Sequence, residues 1–245
     1  MFFRLKPFLY SLVFFLGLEF ISFRNDFLFL IAFIFFFVSL FVGKKLGGRW
    51  LFSILPAFFT IFSIALIYLI SDFAEQQIFI LLTSFVYYLT CLGAFRLKEY
   101  QSDLTARGMI MAASMVTIFF AFTAAYGFYL NFFVPLYFLM IIYLIVSLLV
   151  SYQYFRLINE NKRTVWIYSF LLALIMAELI WTMNFWPFGY LTTGVIALIL
   201  YYVLWDLVQS YFLNLLSRKR VVANMVFFSV LVILVLLSSK WLPTV

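Results

Sequence analysis

Two long apolar runs meet at a short turn within residues 176–210, which begin MAELIWTMNFWPFGY at 176–190. The turn, 184–189, contains a proline and a glycine, and each run carries one carboxylate, Glu178 before the turn and Asp206 after it. An apolar run of about 20 residues is long enough to cross a bilayer as a helix. The stretch therefore predicts two membrane-spanning helices joined by a tight turn, each with a charged side chain.

The rest of the chain has the same character. Of its 245 residues, 68% are hydrophobic and 10% are charged, whereas soluble domains contain about 45–50% apolar and about 25% charged residues. This composition predicts an all-α fold, a polytopic transmembrane helix bundle that occupies residues 1–245 as a single domain. The connections are too short for a separate soluble domain, so no nucleic-acid partner is expected.

Division of the apolar runs at their charged residues gives nine candidate helices. They cover 7–23, 26–43, 50–70, 77–95, 108–130, 132–155, 164–184, 188–213 and 221–239. The separations at 24–26 and at Asn131 are the least marked, so a count of eight stays open.

The basic residues indicate how these helices are oriented. With nine helices, fourteen of the sixteen Lys and Arg residues fall on one side of the membrane, and only Arg24 and Lys240 fall on the other. Because basic residues concentrate in cytoplasmic loops, this predicts a cytoplasmic N-terminus and an external C-terminus. Arg4 and Lys6 before an apolar run resemble the start of a signal peptide. Residues 18–20 are bulky and include a charge, however, whereas a cleavage site needs small residues, so a retained first span is favoured.

The residue inventory excludes several chemistries. Histidine is absent, and Cys91 is the single cysteine. These counts exclude disulfides within the chain, imidazole or multi-thiolate metal sites, and acid–base catalysis by histidine. No cofactor is expected.

Small residues recur every four positions in the fifth candidate helix, at Ala113, Thr117, Ala121 and Ala125. In lipid, where packing replaces the hydrophobic effect as the force between helices, such a stripe lets two backbones approach closely. The spacing predicts that this face of the helix is packed against other helices.

Glu178 and Asp206 are expected at different depths. At a rise of about 1.5 Å per residue, Glu178 lies about 9 Å below the outer end of its helix and Asp206 roughly 25 Å below the outer end of the next. The difference excludes a catalytic carboxylate pair, whose carboxyl groups lie about 5–10 Å apart. Asp206 also begins a polar series with Ser210, Asn214 and Arg218, which is typical of a helix emerging from the hydrocarbon. A functional role for Asp206 stays open as a second interpretation.

Glu178 is the leading candidate for an intramembrane site, because ionisable side chains at membrane depth are costly and are functional by default. Glu19 is expected at a similar depth, about one turn from Arg24. One interpretation is an Arg24–Glu19 or Arg24–Glu178 pair that fixes helix packing. The other is a cation site, a proton site or a lipid-headgroup pocket that opens outward. Trp181 and Trp186 fit the aromatic belt of a membrane interface and adjoin the candidate site.

The segments ELIW at 178–181, FWPFGY at 185–190 and YYVLWD at 201–206 resemble the carboxy-terminal part of a family of uncharacterised multi-pass membrane proteins from small-genome bacteria. The resemblance implies a location in the bacterial cytoplasmic membrane. Because that family has no known function, the resemblance implies no activity.

Three classes of function fit these observations. The first, favoured by the short loops and by the lack of a recognisable site, is a non-enzymatic membrane component, either a subunit of a larger assembly or a homo-oligomer. The second is a transporter of a small solute, an ion or a lipid, with Glu178 and Glu19 lining an outward-facing acidic cavity. The third is a membrane-embedded lipid-modifying enzyme, which would need a nucleophile, an acid–base pair or a metal centre that the sequence does not display. The expected partners are the lipid bilayer and a membrane protein or a second copy of this chain.

Overall fold

The computed structural model describes residues 5–23, 28–132 and 134–238, which are mostly helical and contain no strand. These residues form nine α-helices that give nine segments long and apolar enough to cross a membrane, the third of which, Trp50–Leu69, includes a short 3₁₀ turn before its α-helix. They are α1 (Leu5–Phe23), α2 (Leu28–Gly47), α3 (Ile54–Leu69), α4 (Phe73–Glu99), α5 (Leu104–Phe132), α6 (Leu136–Phe155), α7 (Lys162–Met183), α8 (Tyr190–Phe212) and α9 (Arg218–Ser238). The prediction of an all-α fold with nine helices of membrane-spanning length is confirmed for the described residues.

The helices α4 and α5 begin earlier than the apolar pattern predicted, because an aspartate precedes each of them. The Asp72 carboxylate accepts a hydrogen bond from the Ala74 N–H at 3.1 Å, and the Asp103 carboxylate accepts one from the Ala106 N–H at 3.1 Å. The first-turn N–H groups of a helix have no partner within the helix, and such a cap satisfies one of them. Each helix therefore begins in polar sequence, before its apolar run.

The helix α6 begins at Leu136, four residues after the predicted start at 132. Pro135 occupies the position before it, with an extended ψ of 142°. Proline has no N–H to donate to a preceding turn and disfavours helical geometry in the residue before it. The proline thus marks the start of α6, and α5 and α6 are separate helices.

The chain divides into two compact units, an N-terminal unit (Met1–Phe120) and a C-terminal unit (Ala121–Val245), with the boundary inside α5. The small-residue stripe of α5 contains residues of both units. Ala113 and Thr117, which belong to the N-terminal unit, and Ala121 and Ala125, which belong to the C-terminal unit, are all buried. The prediction that this face of α5 is a packing face is confirmed.

In the N-terminal unit, α1 packs against α4, and α2 packs against α3 and α4. Phe14 stacks on Tyr87 with ring centroids 4.2 Å apart, and Phe59 lies 6.1 Å from Phe14. The Ser39 hydroxyl lies 3.1 Å from the Tyr87 hydroxyl and 2.8 Å from the Thr60 hydroxyl. Since a buried hydroxyl without a partner is costly, this short network lets polar side chains occupy an aromatic core.

In the C-terminal unit, α6 packs against α7, α7 against α8, and α8 against α9. Phe122 of α5 stacks on Tyr143 of α6 with ring centroids 4.0 Å apart, and the Tyr143 hydroxyl donates to the Phe122 carbonyl at 3.0 Å. Gly194 of α8 faces Thr123, whose Cβ would lie 3.0 Å from a Cβ at the glycine. The missing side chain at Gly194 therefore lets α8 approach α5 closely.

Candidate functional site

Glu178 lies on the exposed face of α7, five residues before the helix ends at Met183. That places it about 7.5 Å from the end of the helix. The opposite face of the same turn is buried and carries Met176, Ala177 and Ile180. The Glu178 side chain therefore points away from the helices of its own unit.

Apart from Thr182, the residues one and two turns from Glu178 on the same face are exposed and apolar. Leu171, Leu174 and Ile175 precede it, and Trp181, which is 49% exposed, follows it. Residues three, four and seven positions apart share one side of a helix. Glu178 is thus the one carboxylate on a largely apolar exposed face of α7, and we call its members Leu171, Leu174, Ile175, Glu178 and Trp181 the α7 stripe.

Glu178 makes no hydrogen bond and no ion pair in the part of the chain that the structure describes. The neighbouring polar side chain, Thr182, donates to its own helix, with its hydroxyl 2.7 Å from the Leu179 carbonyl. An ionised carboxylate removed from water without a partner is costly. Arg24, a predicted partner, lies outside the described residues, so the proposed pairs with Arg24 stay predictions.

Glu19 belongs to a polar cluster that joins the end of α1 to the start of α4 in the N-terminal unit. Its carboxylate accepts a hydrogen bond from the Gln77 amide at 3.1 Å. The Ser22 hydroxyl donates to the Gln76 side-chain carbonyl at 2.8 Å, and the Gln76 amide donates to the Ile70 carbonyl at 2.6 Å. These contacts give Glu19 a packing role in its own unit. The hypothesis that Glu19 and Glu178 line one cavity stays a prediction.

The two glutamines of this cluster were missed by the reasoning from sequence. They are adjacent, Gln76 and Gln77, at the start of an apolar run. A pair of amides at that position, on the side of the membrane expected for Glu19, is the signal that would have suggested a contact between α1 and α4.

Asp206 is buried, with 8% of its side chain exposed, which differs from the expectation of a helix end emerging from the hydrocarbon. The helix α9 covers it. The Asn224 amide donates a hydrogen bond to the Asp206 carboxylate at 2.5 Å. One turn earlier on α8, the Tyr202 ring packs against the Phe228 ring of α9, with centroids 5.1 Å apart. Asp206 therefore helps to hold α9 against α8.

The predicted polar series from Asp206 to Arg218 does not lie on one helix. α8 ends at Phe212, and Asn214 follows with a left-handed φ of 54°. The Leu215 N–H then donates to the Ser210 carbonyl at 2.9 Å. This is the usual termination of a helix by a left-handed residue, a conformation that asparagine tolerates well. Arg218 consequently begins α9.

Trp181 and Trp186 lie at the connection between α7 and α8. The Trp181 ring meets Phe185 edge-on at 5.6 Å, and the Trp186 ring meets Phe188 edge-on at 6.0 Å. Such placement of amphipathic rings at a helix end is typical of a membrane interface. Trp181 is also the apolar residue of the α7 stripe that lies nearest to the end of α7.

Among the described residues, no group of three or more His, Cys, Asp or Glu side chains is arranged to hold a metal ion. Residues 42–238 match a protein-family model described as Protein of unknown function (DUF5656). The match includes Glu178 and Asp206 and begins after Glu19. No curated protein and no solved structure matches the chain.

Proposed function

The chain belongs to the DUF5656 family of unknown function, and we propose that it is a non-enzymatic, multi-pass component of a larger membrane assembly. We place it in the bacterial cytoplasmic membrane, with the N-terminus inside and the C-terminus outside. The observation that carries the proposal is the exposed position of Glu178 in the apolar α7 stripe. The stripe is the surface that binds the partner.

The distribution of basic residues supports this orientation. Lys and Arg follow or end the even-numbered helices, at Lys44, Lys45 and Arg49, at Arg96, Lys98 and Arg107, at Arg156, Lys162 and Arg163, and at Arg218, Lys219 and Arg220. With nine crossings these four groups share one side, which the positive-inside rule assigns to the cytoplasm.

The occupant that we propose for the α7 stripe is a transmembrane helix of another protein that presents a Lys or Arg side chain. The neighbours above and below Glu178 are apolar except Thr182, whose hydroxyl is bonded to its own helix. Such a surface fits a helix or lipid chains, whereas the wall of a transport cavity would need polar groups free to contact the solute. A basic side chain on the partner would compensate the carboxylate, and the stripe would supply the packing.

A second copy of this chain is a less suitable occupant of the stripe. Two copies inserted in the same orientation and related by a two-fold axis would bring the same patch of each together. Their Glu178 carboxylates would then lie at the same depth and face each other. Because like charges in a medium of low dielectric repel strongly, this arrangement is unfavourable.

Site-specific photocrosslinking in cells tests the proposal. A photoreactive phenylalanine analogue in place of Leu174 or Trp181 is expected to form an adduct with another membrane protein, through a transmembrane peptide that contains Lys or Arg. The Glu178→Gln change should weaken this adduct, whereas Glu160→Gln, which removes an exposed carboxylate from the α6–α7 connection, should not. The same analogue at the exposed Ile233 of α9 reports non-specific contacts.

A charge exchange makes the test specific. Glu178→Lys should abolish the adduct, and replacement of the partner's basic residue by Glu should restore it. Adducts with lipid alone, with a second copy of this chain, or with a protein whose yield is unchanged by Glu178→Gln would each refute the proposed interface.

A further inference from the structure

A tight basic turn joins α2 to α3. Residues 43–50 read GKKLGGRW, and α2 ends at Gly47. Gly48 has a φ of 72°, and its N–H donates to the Lys44 carbonyl at 2.8 Å. Because a side chain would strain this left-handed conformation, the glycine permits an abrupt end to the helix. A short 3₁₀ turn, Trp50–Ser53, follows immediately.

The 3₁₀ turn packs directly onto the last turn of α2. A Cβ at Gly43 would lie 2.5 Å from the Phe52 carbonyl oxygen and 2.6 Å from the Ser53 Cα. Gly47, one helical turn later, faces the Phe52 ring. The two glycines therefore remove the side chains that would keep the segments apart, and Leu46 between them is buried. This packing fixes the backbone that carries the basic residues.

Four basic side chains collect at this turn. Lys44, Lys45 and Arg49 are exposed on it. Lys98, from the last turn of α4, lies against the same turn, since its Cε would be 3.3 Å from a Cβ at Gly48. We call Lys44, Lys45, Arg49 and Lys98 the basic cluster.

The four side chains of the basic cluster carry no ion pair among the described residues, although Glu99 follows Lys98 in the sequence. Asp103, in the α4–α5 connection, forms its ion pair with Arg96, with 2.7 Å between the guanidinium and the carboxylate. Like charges held together on a fixed backbone repel one another, and an anion bound between them would relieve that repulsion.

An aromatic surface adjoins the basic cluster on the side of the helices. The Lys44 ammonium lies 4.0 Å from the centroid of the Trp50 ring, and Trp50 is 57% exposed. Phe41, one turn earlier on α2, is also exposed, with its ring 6.4 Å from that of Trp50. Tryptophan prefers the headgroup level of a bilayer. The cluster thus combines fixed positive charge with an apolar surface that could accept an acyl chain.

We propose that the basic cluster binds the phosphate of an anionic phospholipid headgroup. Basic clusters next to transmembrane helices attract anionic lipids of the cytoplasmic leaflet. Here the apolar surface of Phe41 and Trp50 distinguishes a lipid from free phosphate, because only a lipid contacts both the charges and the rings. This site is independent of the α7 stripe.

Lipid-dependent thermal stability of the purified full-length protein tests the proposal. Phosphatidylglycerol added to the detergent-solubilised protein should raise Tm, whereas phosphatidylcholine or inorganic phosphate at the same concentration should not. The Lys45→Gln/Lys98→Gln variant should require a higher lipid concentration for the same shift. Each basic residue near an anionic lipid contributes about 1 kcal/mol to binding, so one substitution should weaken lipid affinity about fivefold and the double variant about 25-fold.

The matched control is Lys162→Gln/Arg163→Gln, which removes two basic residues from the exposed start of α7. It should leave the response to phosphatidylglycerol unchanged. An equal response to phosphatidylcholine or to inorganic phosphate would overturn the proposal, as would equal weakening by the two double variants. An unchanged Tm of both variants in phosphatidylcholine shows that they are folded, so that a lost response reports binding.

Discussion

Replacement of Gly43 by alanine is expected to lower stability, although alanine is ordinarily the better helix former. The added Cβ would lie 2.5 Å from the Phe52 oxygen and 2.6 Å from the Ser53 Cα, both backbone atoms that move only with the 3₁₀ turn. Overpacking of this kind costs about 1–3 kcal/mol. The higher helix propensity of alanine stabilises the helix by about 0.8–1.0 kcal/mol and offsets part of that cost. The free energy of unfolding should therefore fall by up to about 2 kcal/mol.

Gly108→Ala is the matched control, because no heavy atom lies within 4 Å of a Cβ at Gly108 in α5. Here only the helix preference acts, and stability should rise by about 0.8–1.0 kcal/mol. Since that preference is common to both variants, the difference between them isolates the steric cost at Gly43.

Thermal unfolding of the detergent-solubilised protein measures this difference. A change of about 1 kcal/mol shifts Tm by about 2–4 °C in a chain of this size, so Gly43→Ala should unfold about 2–12 °C below Gly108→Ala. If Gly43→Ala unfolds at or above the temperature of Gly108→Ala, the 3₁₀ turn does not rest on Gly43. The fixed geometry of the basic cluster would then be wrong as well.

Three further results are expected. Asn224→Ala removes the hydrogen-bond donor to the buried Asp206 carboxylate, at a cost of about 1.5–3 kcal/mol in stability. Amide hydrogen exchange in α9 should therefore accelerate. Unchanged exchange would contradict the role of Asp206 in anchoring α9. A hydrogen bond from a backbone N–H of α5, together with the Arg96 guanidinium, holds the pKa of Asp103 below its ordinary value. Its stabilising contribution is therefore complete above the unfolded-state pKa of about 3.9 and is lost as the pH falls through the lower folded-state pKa, so Asp103→Asn should flatten the decline of Tm in acid. Cys91, which is 1% exposed, should resist alkylation by N-ethylmaleimide in the folded protein and react after denaturation.

The number and order of the helices were predictable because charged residues interrupt the apolar sequence at intervals of about one bilayer thickness. The boundaries were less predictable, since they depend on capping. Asp72 and Asp103 extend α4 and α5 into polar sequence, and Pro135 delays the start of α6. The 3₁₀ turn at Trp50 was assigned to the third helix, because a pattern of apolar residues does not distinguish one short helical turn from the helix that follows.

The two carboxylates in apolar runs could be picked out from the sequence, but their structural environment could not be predicted. Composition alone singled out Glu178 and Asp206 as carboxylates in apolar runs. Which of them is exposed could not be derived: Glu178 lies in an almost wholly apolar run that defines no polar face, and the polar series after Asp206 predicted exposure where the structure has burial. The structure exposes Glu178 on α7 and buries Asp206 beneath α9. The contact of Asp206 with Asn224 depends on helix packing between distant residues, which the local pattern does not contain.

The arrangement of nine crossings with a cytoplasmic N-terminus is tested most directly by labelling single cysteines in intact cells with a membrane-impermeant thiol reagent, in a Cys91→Ser background. Cysteines in place of Asp72, in the α3–α4 connection, and of Asn131, in the last turn of α5, are expected to react from outside. Cysteines in place of Gln101 and Lys162 should react only after the membrane is permeabilised. Reaction at 101 or 162 in intact cells, or protection at both 72 and 131, would contradict the arrangement.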